Sequence, residues 1–446
     1  MRVRTLDYLL TFIVIWGITT AVIPVPGFTE NEQPAALQAC KVKVVKDQGT
    51  WVLKVDEEPF IVQGMEYSPD PAGHPQGECN AWMSQDENGN GLCDAAYDSF
   101  VDANRDDFQD ADEDAAGDFQ LLEDMGCNTL RIYHHTNVRK DLLRDLFSTY
   151  GIRVIMGDYL GAYTMGSGAD WNSGTDYADP EQREKMKESV REMVVEHKDE
   201  PYILMWMLGN ENDSCGDQSN STCNNTNAIA HPEEYARFLN EVCQMIKRLD
   251  PNHPVAVCNA TPRLLTYYKR FAPAIDIIGY NAYTGPFGFG TLWSRTKGSF
   301  DRPVLITEYG TDSYNQKKQM EDENYQAAYH RRAWKDIELN SYWGCSTGNA
   351  IGGVVYSWID KWWLCGSPKE HDTELGAWRG NTIDGWVNDE WLGICSQGRG
   401  SRAPFLRQLK KAYFVYKDEL WNRDIRNVDE NKYNRTDGST AAETLH

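Results

Sequence analysis

The sequence predicts an α/β fold, a (β/α)8 barrel with an N-terminal β-hairpin and long rim loops, and three observations carry that reading. Eight short apolar segments recur along the chain with helical patterns between them. Strands alternating with helices supply the one-handed crossovers that parallel neighbours need, and eight such units close a barrel. The first strand is followed by "GMEYSPDPAG", which lacks the GxGxxG spacing expected at the first turn of a doubly wound open sheet.

In chain order, "KVKVVKDQGTWVLKVDEEPF" (41–60) alternates polar and apolar residues around Gln48-Gly49, the pattern of a hairpin. The strand candidates are 61–67, 129–133, 153–157, 202–208, 255–258, 275–280, 304–307 and 351–358. Helical spacing marks 115–125, 139–150, 180–197, 232–249, 262–271, 321–339 and 403–420, with a weaker pattern over 286–296. The catalytic domain is expected over 41–425, followed by a polar, disordered tail over 426–446.

A chain of 446 residues with 41% hydrophobic residues can bury one large core. Its 15 tryptophans and 23 tyrosines exceed what packing asks for and can line a groove. A net charge of −23 argues against nucleic acid as a partner and favours a neutral or weakly charged substrate. Residues 1–27, "MRVRTLDYLLTFIVIWGITTAVIPVPG", read as a signal peptide or N-terminal anchor. The chain is therefore expected to be secreted or otherwise outside the cytoplasm, with membrane attachment if this segment is kept. Eleven cysteines fit an oxidising compartment, with disulfides expected among Cys79, Cys93, Cys215, Cys223, Cys345, Cys365 and Cys395. Cys127, Cys243 and Cys258 lie in apolar patterns and read as buried thiols.

Two strands end in a carboxylate. "PYILMWMLGNEND" runs from seven apolar residues into Glu211, and "PVLITEYG" delivers Glu308 in the same way. In a barrel, strand C-termini share one rim, so the two carboxylates converge over the mouth. Either one alone is equally a salt-bridged rim residue. Together they suit cleavage of a glycosidic bond, in which a protonated carboxyl donates to the leaving oxygen and an ionised one attacks the anomeric carbon. A separation of about 5 to 5.5 Å gives retention, and about 6.5 to 9.5 Å inversion.

"LGNEN" and "ITEYG" resemble the acid/base and nucleophile motifs of the retaining (β/α)8 glycoside hydrolases of clan A. The chain looks most like the catalytic barrel of glycoside hydrolase family 2, and "FIVQGMEYSP" and "GCNTLRIY" are also similar to the β-1,3-glucanosyltransferases of family 72. The resemblance implies Glu211 as general acid/base, Asn210 as partner of the sugar 2-hydroxyl and Glu308 as nucleophile. It implies that Arg131 in "NTLRIYHH" hydrogen-bonds the nucleophile, that His134 binds substrate, and that Tyr283 in "GYNAY" orients the nucleophile, with Tyr280 as alternative. Trp358 in "VVYSWID" is implied as the sugar platform, and Asp158 and Asp360 as binders of hydroxyls. Family 2 members usually carry β-sandwich domains before the barrel, whereas here only the hairpin precedes it. The implied activity is that of an exported retaining β-glycosidase acting on a poly- or oligosaccharide without a catalytic cofactor. A β-glucanosyltransferase with the same residues and a noncatalytic carbohydrate-binding protein are the alternatives.

The segment after the first strand, "DENGNGLCDAAYDSFVDANRDDFQDADED", predicts structural calcium. Asp86, Asn88, Asn90 and Asp94 occupy positions 1, 3, 5 and 9 of a calcium loop with Gly91 at its sharp turn, although Tyr97 stands at the closing position. Asp102, Asn104, Asp106, Asp110 and Glu113 repeat the spacing, with Asp107 in place of the glycine.

Overall fold

The structure, a computed structural model, describes residues 40–214, 224–285, 287–374, 376–378, 382 and 384–427. The expected leader 1–27, Cys215, Cys223 and residues 428–446 of the expected tail lie outside the described residues.

Eight parallel strands close a barrel in sequence order: β1 (Val62–Glu66), β2 (Thr129–Ile132), β3 (Arg153–Asp158), β4 (Ile203–Leu208), β5 (Val255–Asn259), β6 (Ile277–Asn281), β7 (Val304–Tyr309) and β8 (Ala350–Val355). Every residue of β4, β7 and β8 is buried, because one face of each strand fills the interior and the other meets a helix. Ile155, Met205, Met207, Ala256, Leu305 and Val354 belong to the interior cluster. Outside lie α1 (Gly117–Asp124), α2 (Lys140–Tyr150), α3 (Pro180–His197), α4 (Pro232–Leu249), α5 (Leu265–Phe271), α6 (Leu292–Ser299) and α7 (Glu323–Asn340). Local chemistry sets their ends. Asp179 caps α3 by accepting from the Glu181 and Gln182 amides with Pro180 at the first turn, and Gly151 ends α2 in a left-handed conformation at φ 69°.

The expected hairpin is a three-stranded antiparallel sheet. Val42–Asp47 pairs with Thr50–Val55, and a second turn through Asp56 and Glu57, both at positive φ, adds Glu58–Phe60. Val42, Leu53 and Val55 join the interior cluster, and the Val42 and Trp51 amides bond the Asn252 and Gly348 carbonyls just before β5 and β8. The sheet therefore forms the floor of the barrel, at the end opposite the strand C-termini.

Three element boundaries differ from the sequence reading. Helix is expected over 403–420, but Leu406–Leu409 is a strand, pairing with Phe100–Val101 and Cys395–Ser396, and only from Lys411 does the chain coil as α8 (Lys411–Phe414). The strand wins because Arg407 is wholly buried and forks onto Asp118 of α1 through Nε (2.7 Å) and Nη2 (2.9 Å). β8 stops at Val355 rather than 358, and the weak pattern over 286–296 becomes a helix over Leu292–Ser299.

The disulfides expected at Cys79, Cys93, Cys365 and Cys395 are corrected: these residues carry free thiols. The Cys93 thiol is buried and donates to the Trp82 carbonyl, which turns it into the packing of its own loop. Cys127, Cys243 and Cys258 are buried thiols. Among the described residues no helix is long and apolar enough to cross a membrane.

Candidate active site

The C-terminal ends of the strands open into a cavity of about 440 Å3 whose lining includes Glu211, Tyr283, Glu308, Thr311, Tyr356 and Asp389. The two strand-end carboxylates thus meet at one cavity.

Glu308, in β7, is 6% exposed and held by three donors. Arg131 Nη1 (2.9 Å) and the Tyr133 hydroxyl (2.6 Å) donate to Oε1, and the Tyr283 hydroxyl (2.8 Å) donates to Oε2. Burial and the neighbouring Glu308 charge push the Tyr133 and Tyr283 phenols far above the usual range, so both remain donors. Arg131 comes from β2 and stacks over the Tyr133 ring at 4.2 Å. The alternation of a strand explains the pairing: Arg131 and Tyr133, two residues apart, leave the backbone on one side.

The same guanidinium organises the other half of the site. Arg131 Nη2 donates to Asn210 Oδ1 at 2.9 Å, and Asn281 Nδ2 donates to that oxygen at 3.1 Å. The Asn210 amide is thereby oriented, its Nδ2 reaching the Tyr163 hydroxyl at 3.3 Å. Glu211 follows in a left-handed conformation, φ 56°, after Gly209 at φ 76°. This turn is fixed from outside: the Glu211 amide donates to the Cys258 carbonyl (3.2 Å), and Asn224 Nδ2 donates to the Asn210 (2.8 Å) and Glu211 (3.1 Å) carbonyls. Burial, followed by the Glu308 charge, raises the Glu211 carboxyl to about 7 against an opposing hydrogen bond from Asn281. One carboxyl is thus poised to carry a proton near neutral pH beside a second that three donors hold. Such a pair can perform acid/base and nucleophilic work in one site.

The other expected site residues are distributed differently. Asp158 is wholly buried behind the rim, where Oδ2 accepts from Ser189 (2.6 Å) and faces His134 Nδ1 (3.6 Å) and His135 Nε2 (3.5 Å). Its role as a hydroxyl binder is corrected to a support. His134 is also buried, tilted on Tyr159, which stacks on Tyr133. These two histidines and Asp158 offer ligand atoms within 4.8 Å of one another and are, among the described residues, the one group of histidine, cysteine and acidic side chains so spaced. Trp358, expected as a platform, is fully buried against Tyr413, its amide bonded to the Glu66 carbonyl; early termination of β8 gives the cavity Tyr356 instead. Asp360 pairs with Lys410 at 2.7 Å in the interior. Tyr280 points away and bonds Thr296 at 3.0 Å.

Sequence reasoning missed Tyr133, Asn281, Tyr163 and Tyr356. Tyr133 was findable from its period-two relation to Arg131. Asn281, at the end of β6 beside Glu308 in the strand register, was findable from "GYNAY". Tyr163 lies on a loop and carries no such signal.

Comparison with known proteins fits this geometry. Residues 110–342 match the family described as glycosyl hydrolases family 2, TIM barrel domain. A beta-glucuronidase of Bacteroides fragilis is 26% identical over 251 residues, 52% of this chain and 32% of that protein. A probable mannan endo-1,4-beta-mannosidase C of Aspergillus terreus is 32% identical over 100 residues, 22% of this chain and 24% of that one. Among solved structures, Bifidobacterium dentium beta-glucuronidase complexed with coumarin-3-O-glucuronide shares the fold with TM-score 0.53 and 18% identity, covering 86% of this chain and 50% of its own. The family 2 beta-galacturonidase of Eisenbergiella tayi bound to galacturonate gives 0.51 and 17%, covering 86% and 54%. The chain thus spans about a third of the length of the beta-glucuronidases it matches in sequence. Because the family match takes in more than half of the 446 residues and spans β2 to β7 with both carboxylates, the chain belongs to glycosyl hydrolase family 2.

Proposed function

We propose that the protein is an exported β-glycosidase that cleaves its substrate with retention, by double displacement through a covalent glycosyl-enzyme. The observation that carries the reading is the pairing of Glu308, held by three donors, with Glu211, whose carboxyl titrates at about 7, at one cavity. Family membership and the beta-glucuronidases and the mannosidase among its relatives support a β-linked sugar as substrate. The signal-like pattern of residues 1–27 supports export.

In the first step Glu308 attacks the anomeric carbon, forming a carboxylate ester bond as the glycosidic bond breaks, while the Glu211 proton passes to the leaving oxygen. In the second, Glu211, now ionised, takes a proton from water as the water oxygen attacks the anomeric carbon and releases Glu308. Arg131, Tyr133 and Tyr283 hold and aim Glu308, and Asn210, fixed by Arg131 and Asn281, faces the sugar. Each role uses a group already oriented before substrate arrives.

The test is turnover of a panel of aryl β-glycosides, including β-glucuronides and β-mannosides, with oligosaccharide products resolved by length. Glu211→Ala and Glu308→Ala are each expected to abolish turnover, and a 2-fluoro glycoside to label Glu308. Full turnover by both variants overturns the assignment. Products longer than the donor would instead assign glycosyl transfer to the same residues.

A further inference from the structure

The insertion between β1 and α1 contains a loop whose charge the mechanism does not use. Asp86 accepts from the Asn90 amide through Oδ1 (3.0 Å) and from the Gly91 amide through Oδ2 (2.9 Å), and Gly89 and Gly91 are both left-handed. The side-chain amides of Asn88 and Asn90 both donate to Asp98 Oδ2, at 3.1 and 2.9 Å. Asp98 therefore closes the loop, and Tyr97 turns away to bond Asp145. Asp94 is fully buried. Its Oδ2 accepts from the Glu87 amide (2.8 Å), directly after Asp86, and its Oδ1 has no hydrogen-bond partner. A buried carboxylate oxygen without a donor is costly unless a ligand satisfies it. Among the described residues no lysine or arginine forms an ion pair with Asp86, Asp94 or Asp98.

We propose that this loop is a calcium site, with oxygens from Asp86, Asn88, Asn90, Asp94 and Asp98 and the Leu92 carbonyl at the position where calcium loops use the backbone. Calcium takes six to eight oxygen ligands and accepts carboxylate, amide and carbonyl oxygens together. Asn88 Oδ1 and Asn90 Oδ1 accept from the Asn90 (3.0 Å) and Leu92 (2.8 Å) amides, and each keeps a second lone pair to offer an ion. The orphaned Asp94 oxygen separates this loop from its repeat at 102–113. There Asp102 accepts from the Asp106 (3.2 Å) and Asp107 (2.9 Å) amides in the same pattern, but Gln408 donates to Asp102 and Asp107, and Arg399 pairs with Asp107. Gln408 and Arg399 thus already supply donors to Asp102 and Asp107 of the second loop.

The chain that leads into the loop is tied to the end of β2. Asn80, six residues before Asp86, donates to the His134 (2.7 Å) and Thr136 (2.8 Å) carbonyls at the end of β2, the strand that carries Arg131. An ion in the loop stiffens the stem that fixes that strand end.

The test is equilibrium dialysis of the chelator-treated protein against calcium chloride, with thermal unfolding measured at matched ionic strength. The wild type is expected to bind one calcium more per chain than Asp94→Asn or Asp86→Ala, or to hold it at least about tenfold more tightly. Its unfolding temperature is expected to rise with calcium by more than that of either variant, and not with the same concentration of sodium. Asp94→Asn keeps the side-chain shape, so circular dichroism superposable on the wild type ensures that the comparison is between folded proteins. Equal calcium content at equal affinity in wild type and both variants, or no calcium on the wild type, overturns the proposal.

Discussion

Arg131 and Glu308 lie 177 positions apart in sequence and meet at 2.9 Å in the interior of the site. The second arm of the same guanidinium holds Asn210. One cation from β2 therefore orients residues from β7 and from the end of β4, and its loss leaves a buried carboxylate without its counter-charge. Arg131→Met is expected to lower kcat/KM by about 10²- to 10³-fold, as removal of a preorganised electrostatic contact does. Steady-state kinetics on an aryl β-glycoside checks this, with an unchanged rate counting against it.

Burial and the Glu308 charge raise the Glu211 carboxyl to about 7, and in the proposed mechanism this carboxyl supplies the proton for departure of the leaving group. Activity is therefore expected to fall as pH rises through about 7, where Glu211 loses that proton. Glu211→Gln should lose far more on substrates with poor leaving groups than on a dinitrophenyl glycoside, whose leaving group needs no acid. Because the Glu308 charge contributes to the elevation, Glu308→Gln is expected to lower the Glu211 pKa, as carboxyl NMR titration would report.

Tyr356, not Trp358, borders the cavity. Tyr356→Ala is expected to raise KM severalfold at a nearly constant unfolding temperature. Trp358→Ala should instead cost about 3–5 kcal/mol of stability, as deletion of a buried aromatic does. Denaturant titration alongside kinetics separates the two.

His253 and Asp250 form a buried pair at 2.7 Å beside Trp206 at the floor. Burial pulls the imidazole pKa down, but the hydrogen bonds to Asp250 and Cys40 outweigh it and raise it to about 9. A group whose pKa rises on folding contributes stability that is fully present below its unfolded value of about 6.5 and is lost as pH climbs through 9. His253→Gln is expected to lower the unfolding temperature more at pH 6 than at pH 10, as calorimetry at the two pH values would show.

Asp118 and Arg407 fasten the C-terminal strand to α1 with both partners fully buried. Asp118→Ala leaves an uncompensated guanidinium and is expected to destabilise the protein by about 3–5 kcal/mol. Chemical denaturation measures the loss directly.

The barrel was legible because its signals are periodic. A strand covered on both faces reads as an apolar run, as at Ile203–Leu208, and its end is marked by the change from apolar side chains to Gly209, Asn210 and Glu211. The carboxylate pair was legible for the same reason, since strand ends share a rim. Leu406–Leu409 was not, because its strand conformation is decided by a distant partner, Asp118, that no local pattern announces. Trp358 was misplaced because β8 ends at Val355, so the alternation that would set 356 and 358 on one face does not extend to 358. The free thiols were misread for a related reason: loop spacing says nothing about the direction in which Cys93 points.

Glu211 holds a left-handed backbone, φ 56°, that a side chain with a Cβ adopts at a cost of about 1–2 kcal/mol. A glycine would sit there at ease, so Glu211→Gly should yield a sturdier molecule with no catalytic output. The resting protein is thus held slightly above its own best energy at the spot where the proposed chemistry takes place, and selection for robustness alone would erode Glu211 first.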